Sequence, residues 1–169
     1  MNPLENKIRI IFSIFYGILF PLFGIFIVSK FEFMGINLFN DILTQIPINF
    51  SYSMFKWLNS IFRGDIINQI QINGIKAFIQ QPLMQSLLVW ILHGYLIGII
   101  LKKYKLSLAI TSISFGFLVM LYLIFILICD NSFGTIELIF YSNHFYFIGG
   151  ILFYLISLLF STIGVKISK

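Results

Sequence analysis

The chain has 169 residues, of which 59% are hydrophobic and only 10% are charged, and its mean hydropathy is +0.99. This composition excludes an ordinary soluble domain and predicts an integral membrane protein. The formal net charge is +5, but the basic residues lie at the ends of apolar runs and form no stripe with aromatic side chains, so no nucleic-acid partner is expected.

The sequence contains few residues that could carry chemistry. The single cysteine, Cys129, excludes an intrachain disulfide, and no Cys/His cluster has metal-ligand spacing. We therefore expect no metal and no cofactor. The fingerprints of P-loop proteins, zinc proteases, serine hydrolases and dinucleotide-binding enzymes are missing as well, so no enzyme class has positive support.

Residues 8–29 form the first long apolar run, whose start overlaps with a short polar segment, residues 1–9, that contains Lys7 and Arg9. The run is longer than the apolar core of a signal peptide and has no small-residue cleavage pattern, so we expect it to remain as a membrane-spanning helix. Pro21 removes one backbone donor from this helix and should bend it, a defect that neighbouring helices can cover.

Residues 30–82 are too polar to cross a membrane and too apolar for a solvated loop, so we expect them to lie in the membrane interface. Two amphipathic helices are predicted there, at 35–46 and at 53–62, because apolar residues recur at helical spacing with polar residues opposite. Trp57 beside basic residues is typical of an interfacial helix. For residues 66–82 the pattern leaves helix and strand open.

Three further apolar runs predict three more spans, at 83–101, 106–129 and 145–165. The fold class expected is an all-α integral membrane protein: one membrane domain, residues 1–169, with four transmembrane helices and amphipathic interfacial helices in the first external loop. Lys102, Lys103 and Lys105 follow the second span, and basic residues also border the first and last spans. Because excess Lys and Arg favours the cytoplasmic side, we predict a multi-pass protein of the cell membrane with both termini in the cytoplasm.

Small residues recur at every fourth position in the predicted spans, at Gly94 and Gly98 in the second, at Ser112 and Gly116 in the third and at Ser157 and Ser161 in the fourth. This spacing lets another helix backbone approach closely. The sequence leaves open whether that helix belongs to the same chain or to another one. The expected partners are therefore the lipid bilayer and other membrane subunits or a homo-oligomer.

His93 is the imidazole within a predicted span, and an ionisable residue at such depth is a functional hypothesis. Eight residues from the cytoplasmic end of each span stand Tyr16, His93, Ser114 and Ser157, which gives a common depth of about 12 Å. These side chains are predicted to form one polar layer. The layer either fixes the register of the helices through hydrogen bonds or serves as a proton relay or ligand site.

Three classes of function fit these features. The missing catalytic motifs and the small-residue faces favour a non-catalytic accessory or structural subunit of a larger membrane complex. The polar layer around His93 would suit a transport or channel component. Asp130, Glu137 and His144, on the predicted external side, would suit an enzyme that acts on lipid at the interface.

Overall fold

Helices make up most of the chain that the computed structural model describes, which is residues 3–33, 36–62, 70, 72–79, 83–130 and 144–168. In chain order the elements are helix α1 (Pro3–Val28), strands β1 (Glu32–Phe33) and β2 (Ile36–Asn37), a π-helical segment (Leu38–Leu43), helix α2 (Phe50–Phe62), a 3-10 helix (Gly74–Ile79), and helices α3 (Leu83–Leu101), α4 (Tyr104–Asp130) and α5 (His144–Ile167). Within these residues, α1, α3, α4 and α5 are long and apolar enough to cross a membrane. The predicted set of four spanning-length helices is confirmed.

Helices α1 and α3 are antiparallel. The Nε2 atom of His93 in α3 lies 3.0 Å from the carbonyl oxygen of Gly17 in α1. Further along α1, Gly24 packs against Val89, which precedes His93 in α3. Residues later in α1 thus contact residues earlier in α3, as in an antiparallel pair.

Helix α5 runs parallel to α3 and antiparallel to α4. Along α3 and α5 the close contacts advance together, Gly94 with Ser157 and Gly98 with Ser161. Helix α4 returns from the end of α3, and its Ser107 pairs with Ser161. The four long helices therefore alternate in direction along the chain, as successive membrane crossings require.

A two-residue turn, Lys102 and Lys103, joins α3 to α4. Lys102 has a left-handed backbone, with φ at 54°, and its N–H donates to the carbonyl oxygen of Gly98 at 3.0 Å, which ends α3. The N–H of Ser107 donates to the carbonyl oxygen of Lys103 at 2.8 Å and begins the bonding of α4. A left-handed lysine costs about 1 to 2 kcal/mol, so this turn is held by the packing of the two helices.

One end of the bundle carries a set of exposed lysines and is called the lysine end below; they are Lys7, Lys102, Lys103, Lys105 and Lys166. It contains the start of α1, the α3–α4 turn and the end of α5. The opposite end is called the loop end, and the chain between α1 and α3 starts and finishes there. Which side of a membrane each end faces stays a prediction.

The segment 35–46, expected as one helix, is instead strand β2 followed by the short π-helical segment, with Gly35 outside the described residues. Asn37 sets this later start. Its Oδ1 atom accepts from the N–H of Asn40 at 3.1 Å, and its own N–H donates to Asp41 Oδ2 at 2.8 Å. An asparagine cap of this kind is worth about 1 kcal/mol, which decides where the helical turn begins.

Helix α2 covers the segment predicted at 53–62, and it runs alongside α4 in the opposite direction. Ring contacts with centroids 5.9 to 6.0 Å apart fix this register: Phe50 with Phe125, Phe55 with Tyr122, and Phe62 with Phe115. The ring of Phe62 also lies 6.2 Å from that of Trp90, one turn from His93. Helix α2 therefore enters the bundle from the loop end, whereas the sequence pattern predicts that it lies flat in the interface.

The apolar face of α2 is buried between α1 and α4, which explains this orientation. The Nε1–H of Trp57 donates to the carbonyl oxygen of Leu22 at 2.9 Å, and the indole meets the Phe23 ring edge-on at 5.0 Å. On the other side, Asn59 Oδ1 accepts from the Tyr122 hydroxyl at 3.1 Å. Burying a large apolar side chain is worth about 1.5 to 3 kcal/mol whether the cover is lipid or protein. The same amphipathic pattern thus fits both placements.

Two apolar clusters fill the interior on either side of His93. The cluster toward the loop end is rich in aromatic rings, among them Phe26, Phe33, Trp57, Phe62, Trp90 and Phe153. The smaller cluster toward the lysine end is centred on Ile97, Leu101 and Ile110. Buried hydroxyl groups lie beside the smaller cluster and around His93, at Ser13, Ser107, Thr111, Ser114, Ser157 and Ser161, and others lie toward the loop end, at Ser29, Ser53, Ser60 and Ser86.

Candidate functional site

His93 lies at the centre of the bundle, and its side chain has no solvent exposure. Its Nδ1 atom is 2.7 Å from Ser157 Oγ of α5, and its Nε2 atom is 3.0 Å from the carbonyl oxygen of Gly17 of α1. Ser114 Oγ of α4 lies 3.3 Å from the same Nε2 atom. One imidazole of α3 thus contacts each of the other three long helices.

The carbonyl group of Gly17 can accept this bond because of Pro21. In an α-helix the carbonyl oxygen of one residue accepts from the N–H four residues later, and proline has no N–H. Gly17 stands four residues before Pro21, and both are buried. A buried acceptor without a donor costs about 1 to 3 kcal/mol. The Nε2–H of His93 supplies the donor that Pro21 lacks.

These partners define the protonation of the ring. A carbonyl oxygen only accepts, so the Nε2 atom of His93 carries the proton, and Nδ1 of the neutral ring accepts from the Ser157 hydroxyl. The Ser114 hydroxyl donates within its own helix, to the carbonyl oxygen of Ile110 at 2.9 Å. Its oxygen is left as a second, longer acceptor for Nε2–H. Both ring nitrogens are therefore satisfied while the imidazole is neutral.

Glycine at position 17 allows the helices to converge here. A β-carbon on Gly17 would lie 2.8 Å from Cβ and Oγ of Ser114 and 3.3 Å from Cδ1 of Ile97. A larger residue would push α1 away and withdraw the carbonyl group from His93. Sequence reasoning missed Gly17, and the available signal was Pro21 four residues later, which marks the carbonyl group that needs a donor from outside the helix.

Tyr16, also expected in the polar layer, lies beside the imidazole without bonding to it. Its hydroxyl donates to the carbonyl oxygen of Leu92 at 3.3 Å, and its ring stacks on Phe20 with centroids 4.9 Å apart. The next residue, Gly17, is the one that meets His93. The structure thus brings His93, Ser114 and Ser157 together, and Tyr16 adds a separate bond between α1 and α3.

Gly94 and Gly98 pack against α5 of the same chain. A β-carbon on Gly94 would overlap with the carbonyl oxygen of Ser157, and one on Gly98 would overlap with the next turn of α5. Gly164 of α5 makes the reciprocal approach to the backbone of Tyr95, a contact that the sequence analysis did not single out. Within the described chain, this glycine pair is used for an intrachain contact.

Ser112 and Gly116 of α4 face different surroundings. Ser112 Oγ donates to the carbonyl oxygen of Leu108 at 2.8 Å and lies 2.8 Å from the Tyr154 hydroxyl of α5, which donates to it. Gly116 is exposed, and a β-carbon there would meet no described atom within 4 Å. The two residues therefore do not form one packing surface with the helices of this bundle.

The residues considered for a lipid-directed enzyme are only partly described. Glu137 lies outside the described residues, and Asp130 and His144 are described only as the last residue of α4 and the first residue of α5. Among the residues that the structure describes, no group of three or more His, Cys, Asp or Glu side chains could hold a metal ion.

No protein-family model, curated protein or solved structure matches this chain.

The Ser157–His93 pair has the local geometry of a nucleophile and a general base, since the hydroxyl donates to a ring nitrogen at 2.7 Å. Neither side chain is exposed, and the Trp90 ring covers the imidazole edge-on with centroids 5.3 Å apart. Acyl transfer would need a substrate carbonyl group beside the serine oxygen and donors for the oxyanion. The packed helices occupy that space, so the pair as it stands joins helices.

Proposed function

We propose that this protein is a non-catalytic accessory or structural subunit that packs within a larger membrane assembly. The observation that carries the proposal is the complete hydrogen bonding of His93. Ser157 and the carbonyl group of Gly17 engage both ring nitrogens, so the imidazole has no free donor or acceptor for a substrate or a transported ion. Polar side chains that bond across membrane helices in this way fix helix register.

In this proposal, α4 offers the surface for neighbouring subunits. One of its faces exposes a row of apolar side chains, Ile113, Phe117, Met120, Ile124 and Ile128. Gly116 lies on the same face with open space over its backbone, where a side chain of a neighbouring helix fits. Lipid tails contact the part of this face that no partner covers.

The lysine end faces the cytoplasm in this proposal, which gives a multi-pass protein of the cell membrane with both termini inside. Support comes from the exposed lysines at that end, since Lys and Arg collect on the cytoplasmic side. The loop end exposes Phe39, Ile48 and Ile75, which would insert into the outer membrane interface. Helix α2 is a re-entrant helix, tolerated because protein buries it.

Native extraction followed by mass spectrometry tests the proposal. The wild type should purify with other membrane proteins in fixed stoichiometry. Gly116→Leu fills the space on the α4 face and should reduce the recovered partner several-fold. Leu155→Phe changes an exposed residue of α5 and serves as the matched control, with recovery unchanged. Purification of the wild type as a free monomer or homo-oligomer would contradict the proposal.

A further inference from the structure

Helix α4 carries three buried hydroxyl groups on one stripe, at Ser107, Thr111 and Ser114. The two outer ones bond to other helices: Ser107 pairs with Ser161, and Ser114 lies 3.3 Å from Nε2 of His93. The middle one differs, because Thr111 Oγ1 is completely buried and has no hydrogen-bond partner among the described residues.

A second unpartnered hydroxyl lies on the facing helix. Ser13 of α1 is completely buried, and its Oγ atom likewise has no partner in the described part of the chain. Helices α1 and α4 run in the same direction, since each is antiparallel to α3, and Gly17 packs on Ser114. Ser13 precedes Gly17 by four residues and Thr111 precedes Ser114 by three, so both hydroxyls lie one turn toward the lysine end from the same contact.

The surroundings of these two hydroxyls restrict what could bind them. Ile97 and Ile110 are buried in the apolar cluster at this level and provide no side-chain donor or acceptor. Among the described residues no Asp or Glu side chain is buried, so no carboxylate is available here to neutralise a cation, and hydroxyl groups alone do not offset the dehydration of an ion. A neutral molecule with both donor and acceptor capacity, small enough for a packed helix contact, fits this chemistry.

We propose that Ser13 and Thr111 bind a resident water molecule between α1 and α4. Buried waters typically make about three hydrogen bonds to groups that lack other partners, and the two hydroxyls provide the first two. The water gives α1 and α4 a polar connection one turn from the imidazole, toward the lysine end. This site is separate from the His93 layer and goes beyond the proposed subunit role.

A high-resolution structure of the wild type in lipid is the direct test. We expect density for one water within hydrogen-bond distance of Ser13 Oγ and Thr111 Oγ1. If the hydroxyls instead donate to the carbonyl groups of their own helices, four residues earlier, with nothing between them, the proposal is wrong.

Unfolding equilibria of purified variants give an independent test. Ser13→Ala and Thr111→Val should each raise the unfolding equilibrium constant about threefold, the typical effect of one hydrogen bond between membrane helices. Either change alone removes the bridge. The increase in the unfolding equilibrium constant of the double variant should therefore be about threefold smaller than the product of the two single increases. Ser60→Ala is the control, because the Ser60 hydroxyl donates to the carbonyl oxygen of Trp57 in its own helix. When it is combined with Ser13→Ala, the two increases in the unfolding equilibrium constant should simply multiply. Simple products for the Ser13 and Thr111 pair would contradict a shared water.

Discussion

Pro21 deprives the carbonyl oxygen of Gly17 of its helical donor, and His93 supplies a donor to that oxygen from the neighbouring helix. Each residue alone would be unfavourable in a membrane helix, one through a missing backbone bond and the other through a buried polar ring. Together they satisfy each other and fix α1 against α3.

The Pro21–His93 relationship predicts an energetic coupling between these residues. His93→Leu should lower the free energy of unfolding by about 0.6 to 2 kcal/mol, the range for hydrogen bonds between membrane helices. In a Pro21→Leu background the N–H of residue 21 returns to the carbonyl group of Gly17, so the same change should cost less. Denaturation of the four proteins in detergent micelles measures the difference. Equal losses in both backgrounds would show that the proline and the histidine act independently.

The stabilities of alanine variants at Gly94 and Gly116 distinguish the effect of a close helix contact from the general helix propensity of glycine. Gly94→Ala places a methyl group against the Ser157 carbonyl group and should cost about 1 to 3 kcal/mol of stability through strain between α3 and α5. Gly116→Ala is the matched control, because its β-carbon meets open space, and it should leave stability unchanged or raise it by up to about 1 kcal/mol through the higher helix propensity of alanine. Thermal unfolding of both variants checks the contrast, and a Gly94→Ala protein as stable as wild type would contradict the contact.

Helix α2 should resist proteolysis in a bilayer, because it lies between α1 and α4. Trypsin should cleave slowly after Lys56. Trp57→Phe keeps a ring but loses the bond to the carbonyl group of Leu22, worth about 1 kcal/mol, so cleavage should become several-fold faster. Tyr52→Phe removes an exposed hydroxyl group from the same helix but keeps the ring that lies 4.9 Å from Lys56 Nζ, so it should leave the rate unchanged. Rapid cleavage of the wild type would show that α2 is not held in the bundle.

The sequence predicts the four long helices well, because a run of about 20 apolar residues is a requirement of the bilayer rather than of any particular contact. It also marks His93, Ser114 and Ser157 by their depth. It does not reveal the role of Gly17, because the acceptor is a backbone atom and the donor comes from a distant part of the chain. The orientation of α2 could not be predicted for another reason: an apolar helix face has the same sequence pattern whether it packs against lipid or against protein.

Membrane orientation can be tested with exposed positions at the two ends of the bundle. In a Cys129→Ser background, a cysteine at Gln45 should react with an impermeant reagent in intact cells, whereas a cysteine at Lys102 should react only after permeabilisation. The reason is the excess of lysine at the end that contains Lys102. Labelling of the Lys102 position in intact cells, with Gln45 protected, would reverse the proposed topology.

The last prediction distinguishes a structural imidazole from a working one, and it uses His93→Gln. Glutamine keeps a donor and an acceptor, so it can bond to the Gly17 carbonyl group and to Ser157 but cannot gain or lose a proton. If His93 only joins helices, this variant should assemble like the wild type at every pH between about 5.5 and 8, the range over which an imidazole in water changes charge. In reconstituted vesicles, the wild type and His93→Gln should show the same proton and ion flux.

A fluorophosphonate probe should also leave Ser157 unlabelled, since both members of the His93–Ser157 pair are buried. A flux that depends on His93 would favour a transport function, and a labelled Ser157 would favour a hydrolase, because each requires the imidazole to leave the bonds that hold it at the centre of the bundle.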